Sequence, residues 1–124
     1  MSNDKVLPAR RVLVVDDNAE MAKVAVMLLK SLGQVVRQAD DGASALEIAA
    51  EFKPEVVFVD LVMPGMDGLE VGRKLRALSP KNPPKIVALT AFRQPAFRDA
   101  ASWAGFDAYV TKPATAGDLA KVLT

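Results

Sequence analysis

Short apolar runs alternate with stretches of helical period along the whole chain. Val12-Leu13-Val14-Val15 is a β-branched run that stops abruptly at Asp16-Asp17-Asn18, the pattern of a strand followed by helix-capping residues. Met21, Val24, Ala25, Leu28 and Leu32 then recur at helical spacing, and Gly33 supplies a C-terminal stop. Val35 to Ala39 predicts a shorter, more polar strand closed by the turn Asp40-Asp41-Gly42. A helix over Ala43 to Phe52 offers Ala45, Leu46, Ala49 and Phe52 for burial, and Pro54 closes it. The alternation then repeats. Val56 to Val59 is a strand ending at Asp60, Met63-Pro64-Gly65-Met66-Asp67-Gly68 a loop, and Leu69 to Leu78 a helix with Gly72, Leu75 and Leu78 on one side. A proline-rich turn over 79–84 leads to the strand Ile86 to Leu89, ending at Thr90. A helix over Gln94 to Ala104, a strand over Ala108 to Thr111 and a helix over Ala114 to Leu123 complete the chain.

Five β/α units in succession imply a parallel sheet with helices on both faces, because right-handed crossovers put them there. The first, third and fourth strands are continuous apolar runs, as expected when both faces are covered. The second and fifth carry polar residues and suit the edges. An α/β fold follows: a doubly wound, flavodoxin-like three-layer sandwich with strand order 2-1-3-4-5. The domain is expected over 11–124, preceded by a polar segment over 1–10.

A length of 124 residues fits one domain. Sixteen basic and fifteen acidic residues leave a net charge of +1 with no basic block, so neither direct nucleic-acid binding nor a membrane surface is expected. No apolar run approaches the ~18 residues of a membrane span, and the polar N-terminus lacks a signal core. A cytoplasmic protein without membrane insertion is the simplest reading. The sequence contains no His and no Cys. That excludes the usual zinc sites, Ser–His–Asp triads, Cys–His dyads and disulfides. Carboxylates, hydroxyls, Lys, Tyr, backbone groups and hard metal ions remain.

Ligands of such sheets bind outside the carboxyl ends of the strands. Asp16 and Asp17 follow strand one, Asp60 strand three, Thr90 strand four and Lys112 strand five. Singly, each has an ordinary role: Asp17 or Asn18 as a helix N-cap, Asp60 a solvated loop carboxylate, Thr90 a turn hydroxyl, Lys112 a surface charge. Together they converge on one crevice. Clustered carboxylates repel by a few kcal/mol per pair, roughly, at an effective dielectric near 20, and a hard cation offsets this. Mg²⁺ suits an all-oxygen site that leaves room for waters and a phosphate, with Mn²⁺ as a substitute. Thr90 and Lys112 would then stabilise a transferring phosphoryl group, for which a carboxylate can itself be the acceptor.

From Arg11 to Leu123 the chain resembles the receiver domain of two-component response regulators, the CheY-like family. The resemblance rests on Val14-Val15-Asp16-Asp17-Asn18, Val59-Asp60 followed by Met63-Pro64-Gly65-Met66-Asp67-Gly68, Leu89-Thr90-Ala91, and Gly105-Phe106-Asp107-Ala108-Tyr109-Val110-Thr111-Lys112-Pro113. It implies a phosphorelay protein, phosphorylated on Asp60. Asp17 and Asp60 would bind Mg²⁺ through side chains, Val62 through its backbone carbonyl, and Asp16 through a metal-bound water. Thr90 would hydrogen-bond the phosphoryl group and Lys112 pair with it; Tyr109 would reorient as Thr90 moves, and Lys112–Pro113 would be a cis bond. The donor would be a histidine kinase or histidine phosphotransfer domain. The output would pass from the fourth helix, fifth strand and fifth helix to a downstream protein or an attached effector domain; a phosphorylation-dependent dimer is compatible with it. No enzyme activity beyond the domain's own phosphotransfer and dephosphorylation is implied, in a stand-alone regulator or a receiver of a hybrid kinase or longer regulator.

Val62 and Phe92 are apolar at positions where the family commonly has polar residues that tune dephosphorylation, and they are expected to hinder water and prolong the phosphoryl state. Trp103 stands where a polar residue is common in the family; either Phe92, Phe97 and Trp103 are ordinary packing aromatics, or Trp103 and Tyr109 help form a partner surface. Two other classes compete. A flavodoxin-like FMN carrier wants a Ser/Thr/Gly phosphate loop where Asp16-Asp17 stand. A Mg²⁺-dependent phosphohydrolase of the haloacid-dehalogenase type wants an Asp-x-Asp pattern after strand one, whereas these two are adjacent.

Overall fold

The computed structural model describes residues 7–63 and 66–124, with Val62 and Met66 described by their backbone alone. Of the expected polar segment, residues 1–6 lie outside the described residues, as do Pro64 and Gly65 of the expected loop. The elements are β1 (Arg11–Val15), α1 (Ala19–Ser31), β2 (Val35–Ala39), α2 (Gly42–Phe52), β3 (Val56–Val59), β4 (Val62–Met63), β5 (Met66–Asp67), α3 (Gly68–Ala77), β6 (Lys85–Thr90), α4 (Pro95–Trp103), β7 (Ala108–Thr111) and α5 (Ala116–Leu123).

Five strands form one sheet in the order β2-β1-β3-β6-β7, with every neighbouring pair parallel. This is the predicted 2-1-3-4-5 order, counting the strands of that sheet. Alternation along each strand divides the core into two layers. Leu13, Val15, Val57, Val59, Ile86 and Ala88 face α2, α3 and α4. Val12, Val14, Val56, Phe58, Val87 and Leu89 face α1 and α5. Both faces of β1, β3 and β6 are therefore dry, which is why their sequences read as unbroken apolar runs. Leu7 packs against the second layer, and the Gln34 amide ties the chain ahead of β1 by accepting from the Arg10 N–H and donating to the Pro8 carbonyl.

Several local expectations need correction. Helix α1 buries Ala22, Ala25 and Leu29, whereas Met21 and Val24 are 43% and 54% exposed. Small alanines let the helix lie close to the sheet, and its larger apolar residues project sideways. Leu78 is 47% exposed because α3 ends one residue earlier and Leu78 is its C-cap. The rest of the expected α3 face is right: Gly72 and Leu75 are buried, and a Cβ at Gly72 would strike the Phe106 ring. The expected plain loop after β3 contains a minimal antiparallel hairpin, β4 with β5. Helix α5 starts at Ala116 instead of Ala114, because Thr115 and Asp118 form a reciprocal capping box. Among the described residues, no helix is long and apolar enough to cross a membrane.

Candidate functional site at the carboxyl end of the sheet

The carboxyl ends of β1, β3, β6 and β7 deliver Asp16, Asp60, Thr90 and Lys112 to one crevice. Backbone hydrogen bonds fix each strand end. The Asp16 N–H donates to the Ala39 carbonyl (3.1 Å), the Asp60 N–H to the Val15 carbonyl (3.0 Å), and the Lys112 N–H to the Thr90 carbonyl (2.8 Å). Asp17 is not the N-cap of α1; Asn18 is, its side chain accepting from the Met21 N–H at 3.1 Å. The adjacent carboxylate is thereby spared for another role. The Asn18 N–H also donates to Asp16 Oδ1 at 3.0 Å, leaving the other Asp16 oxygen to face the crevice.

Asp16, Asp17 and Asp60 can each offer one oxygen such that all three lie within 4.8 Å of one another. Lys112 Nζ lies 2.6 Å from Asp16 Oδ2 and 3.1 Å from Asp60 Oδ2, bridging two of them. Burial draws the pKa of this ammonium down. The hydrogen bond to Asp16, together with the attraction and hydrogen bond of Asp60, outweighs that and leaves it above the ordinary lysine value. Three carboxylates against one ammonium leave a local charge of −2 when all are ionised. At 4.8 Å and an effective dielectric near 20, each remaining carboxylate pair repels by roughly 3–4 kcal/mol. A divalent cation balances that charge. The donor set is all oxygen, with Asp17 exposed and Asp60 half-buried, so water can complete the coordination shell of a hard ion.

The neighbouring glycine explains how the backbone that carries Asp60 is held. Gly68 opens α3, and a Cβ there would collide with the Asp60 carbonyl oxygen and sit 2.7 Å from Leu61 Cα. Asp67 caps the same helix, its carboxylate accepting from the Leu69 N–H at 3.0 Å. The helix start is thus pressed against the backbone that carries Asp60. The sequence shows Gly68 only as part of a turn signal; nothing in it reveals this approach.

On the other side of the crevice, Thr90 is buried and its hydroxyl accepts from the Phe92 N–H at 3.4 Å. The Tyr109 hydroxyl donates to the Phe92 carbonyl at 2.6 Å. Arg98, an exposed α4 residue that sequence patterning does not distinguish, places its guanidinium carbon 4.7 Å from the Tyr109 ring centroid. Burial, with some help from Asp60 and against the pull of Arg98, holds the Tyr109 phenol above its ordinary pKa. Phe92 stacks on Phe97, ring centroids 4.5 Å apart. The Lys112–Pro113 peptide is cis. Trp103, 90% exposed, lines a depression with Asp99 and Ser102, separate from the groove lined by Tyr109 and Arg98.

A family model described as the response regulator receiver domain matches residues 12–124. The chain belongs to this family. As a receiver domain it is similar to a protein described as "Probable transcriptional regulatory protein TcrX" from Mycobacterium tuberculosis, with 42% identity over 82% of this chain and 43% of that protein. It is 38% identical to response regulator GacA of Pseudomonas viridiflava, over 91% of this chain and 53% of that one. The receiver domain therefore spans about half the length of these relatives. Among solved structures, a Burkholderia pseudomallei response regulator with a phosphorylated aspartic acid, a calcium ion and citrate matches with a TM-score of 0.84 and 32% identity, over 93% of this chain and 66% of that one. A co-crystal of the Saccharomyces cerevisiae histidine phosphotransfer signaling protein Ypd1 with the receiver domain of Ssk1 matches with a TM-score of 0.86 and 29% identity, over 97% and 90% of the two chains. The protein is a receiver domain of two-component signalling, with the CheY-like fold.

Proposed function

We propose that Asp60 accepts a phosphoryl group in a Mg²⁺-dependent reaction and that the domain signals by rearranging the surface of α4, β7 and α5. One observation carries this reading: Lys112 bridges Asp16 and Asp60 within a carboxylate cluster whose residual charge matches a divalent cation. A carboxylate oxygen of Asp60 attacks phosphorus, the donor's P–N bond breaks, and the imidazole leaves as the P–O bond forms. Asp17, Asp60 and the Val62 carbonyl would hold the metal directly, with Asp16 acting through a water. When bound, Mg²⁺ would neutralise charge building on the phosphoryl oxygens. Lys112 pairs with those oxygens and Thr90 donates its hydroxyl to them. Phe92 and Val62 restrict water and lengthen the life of the acyl phosphate.

With no histidine of its own, the domain takes its phosphoryl group from the phosphohistidine of a kinase or phosphotransfer domain, or from a small acyl phosphate. An apolar groove beside the site, lined by Met21, Val24, Leu28, Leu89, Pro113 and Leu119, supports docking of that donor on α1 and the loop after β7. Met27, 70% exposed, widens the α1 patch. Output passes to a downstream protein or an attached effector domain, with Tyr109 and Trp103 as candidate contacts.

Incubation with acetyl phosphate and Mg²⁺ tests the chemistry. The expected product carries one phosphate, absent in EDTA and absent in Asp60→Asn. Sustained turnover of phosphoesters in place of a single stable phosphate would refute the reading.

A further inference from the structure

Helix α4 presents two chemically different faces. Towards β7 it sends Arg98, whose guanidinium carbon is 4.7 Å from the Tyr109 ring centroid. On its solvent side Asp99 and Trp103 stand one turn apart, the i, i+4 spacing at which helix side chains meet. With Ser102 they line an open depression. Trp103 is 90% exposed, and no ring or guanidinium of the described residues stacks on it. Asp99 is exposed and makes no hydrogen bond or ion pair among the described residues. Two neighbouring cations are committed elsewhere. Arg98 lies over Tyr109, and Arg76, which reaches the α4–β7 loop through the Gly105 carbonyl at 2.7 Å, pairs with Asp107.

We propose that Asp99 and Trp103 form a docking site for a cationic side chain, arginine or lysine, on a basic segment of a partner protein. Among aromatic side chains an indole face attracts a cation most strongly, and a carboxylate one turn away supplies a salt bridge to the same group. The Ser102 hydroxyl can accept a further N–H. Polyanions are disfavoured, because a phosphate or carboxylate reaching Trp103 would meet the charge of Asp99. A free small cation would stay mostly in water, since three side chains of one helix cannot enclose it as ligand pockets do. A protein segment adds the missing contact area, with Trp103 as its anchor. The proposal deepens the reading of Trp103 as an output contact and rests on that part of the proposed function alone. It does not depend on Asp60 as phosphoacceptor.

Amide NMR shifts of the unphosphorylated protein in excess Mg²⁺ test the site, with end-blocked tetra-arginine as probe and tetraglutamate as control. Saturable shifts are expected at Asp99, Ser102 and Trp103 with tetra-arginine, and none there with tetraglutamate. The half-saturating concentration should rise about two- to fivefold in Asp99→Asn and in Trp103→Ala. It should rise less in Trp103→Phe, which keeps a weaker aromatic face. Both side chains are exposed, and unchanged amide shifts in the sheet will confirm that the variants are folded.

No shifts on α4, shifts confined to the acidic crevice, or a half-saturation indifferent to both substitutions would overturn the site and leave the phosphoacceptor reading untouched. A larger response of Trp103 fluorescence to phosphatidylcholine vesicles than to tetra-arginine would also overturn it, by assigning the site to a quaternary ammonium headgroup. Trp103 is the only tryptophan, so that signal reports on this site alone.

Discussion

The two walls of the acidic crevice are built differently. The wall of β1 and β3 is anchored on every side: Val14, Val15, Phe58 and Val59 are at most 2% exposed, Asp16 is buried, and Gly68 is pressed against the Asp60 backbone. The wall of β6 and β7 leads into an exposed segment, linked by hydrogen bonds from the Phe92 N–H to Thr90 (3.4 Å), from the Tyr109 hydroxyl to the Phe92 carbonyl (2.6 Å) and from the Arg93 guanidinium to the Lys112 carbonyl (3.4 Å), by an aromatic stack and by a cation–π contact. Metal binding and phosphoryl transfer need carboxylates held to a fraction of an ångström. A switch needs a segment whose alternatives differ by only a few kcal/mol, on the order of magnitude of a few such contacts. On the proposed function, the same crevice would meet both requirements by assigning them to opposite walls.

Lys112 joins the walls, and removing it should have the largest effect. Lys112→Ala removes the ammonium that bridges Asp16 and Asp60 beside Asp17, costing roughly 3 kcal/mol in EDTA. Mg²⁺ should then restore more stability than it adds to the wild type, as thermal unfolding with and without the ion will show. Equal Mg²⁺ effects in the two proteins would contradict the charge balance. Gly68→Ala strikes the fixed wall alone. It should destabilise by about 1–3 kcal/mol and slow phosphorylation by acetyl phosphate on the order of tenfold to a hundredfold, even at temperatures where the variant is fully folded. A folded variant with wild-type rates would show that the acceptor tolerates displacement.

Phe92→Asn strikes the adjustable wall, admitting water while leaving the metal site intact. The phosphorylated state should decay about three- to tenfold faster, measured by loss of the phosphate mass over time, with Mg²⁺ affinity unchanged. The smallest effect is spectroscopic. Tyr109 is the only tyrosine, so its ionisation can be followed by ultraviolet absorbance, and burial should place its midpoint above the ordinary value of about 10. A raised phenol pKa means that folding favours the protonated form. Its contribution is present in full below about pH 10 and is lost as pH rises through the raised value. A midpoint at or below 10 would mean that the ring is not held against the loop.

This contrast also marks what the sequence discloses. The anchored wall is written in unbroken apolar runs that end in Asp16 and Asp60, and the run of β6 ends likewise in Thr90, so strand order and the residues of the crevice follow from the pattern. Features that depend on three-dimensional approach are silent. Arg98 looks like any surface arginine on a helix, because its partner Tyr109 lies on a different element. Gly68 reads as a turn residue, since what it avoids is a backbone atom eight residues away. The β4–β5 hairpin has two residues per strand, too few to establish a period. In α1 the larger residues Met21 and Val24 dominate the apparent periodicity, whereas the sheet accepts Ala22 and Ala25. Those displaced residues line the groove proposed to receive the phosphoryl donor, so the pattern fails at the proposed docking surface.

The division between the walls is tested most directly by amide NMR shifts of the Mg²⁺-loaded protein with and without beryllofluoride. Beyond the residues flanking Asp60 itself, the largest shifts are predicted at Thr90, Phe92, Arg98 and Tyr109, with Val12 to Val14 and Val56 to Phe58 nearly unmoved. Shifts spread equally through β1 and β3, or absent from Phe92 and Tyr109, would contradict the account.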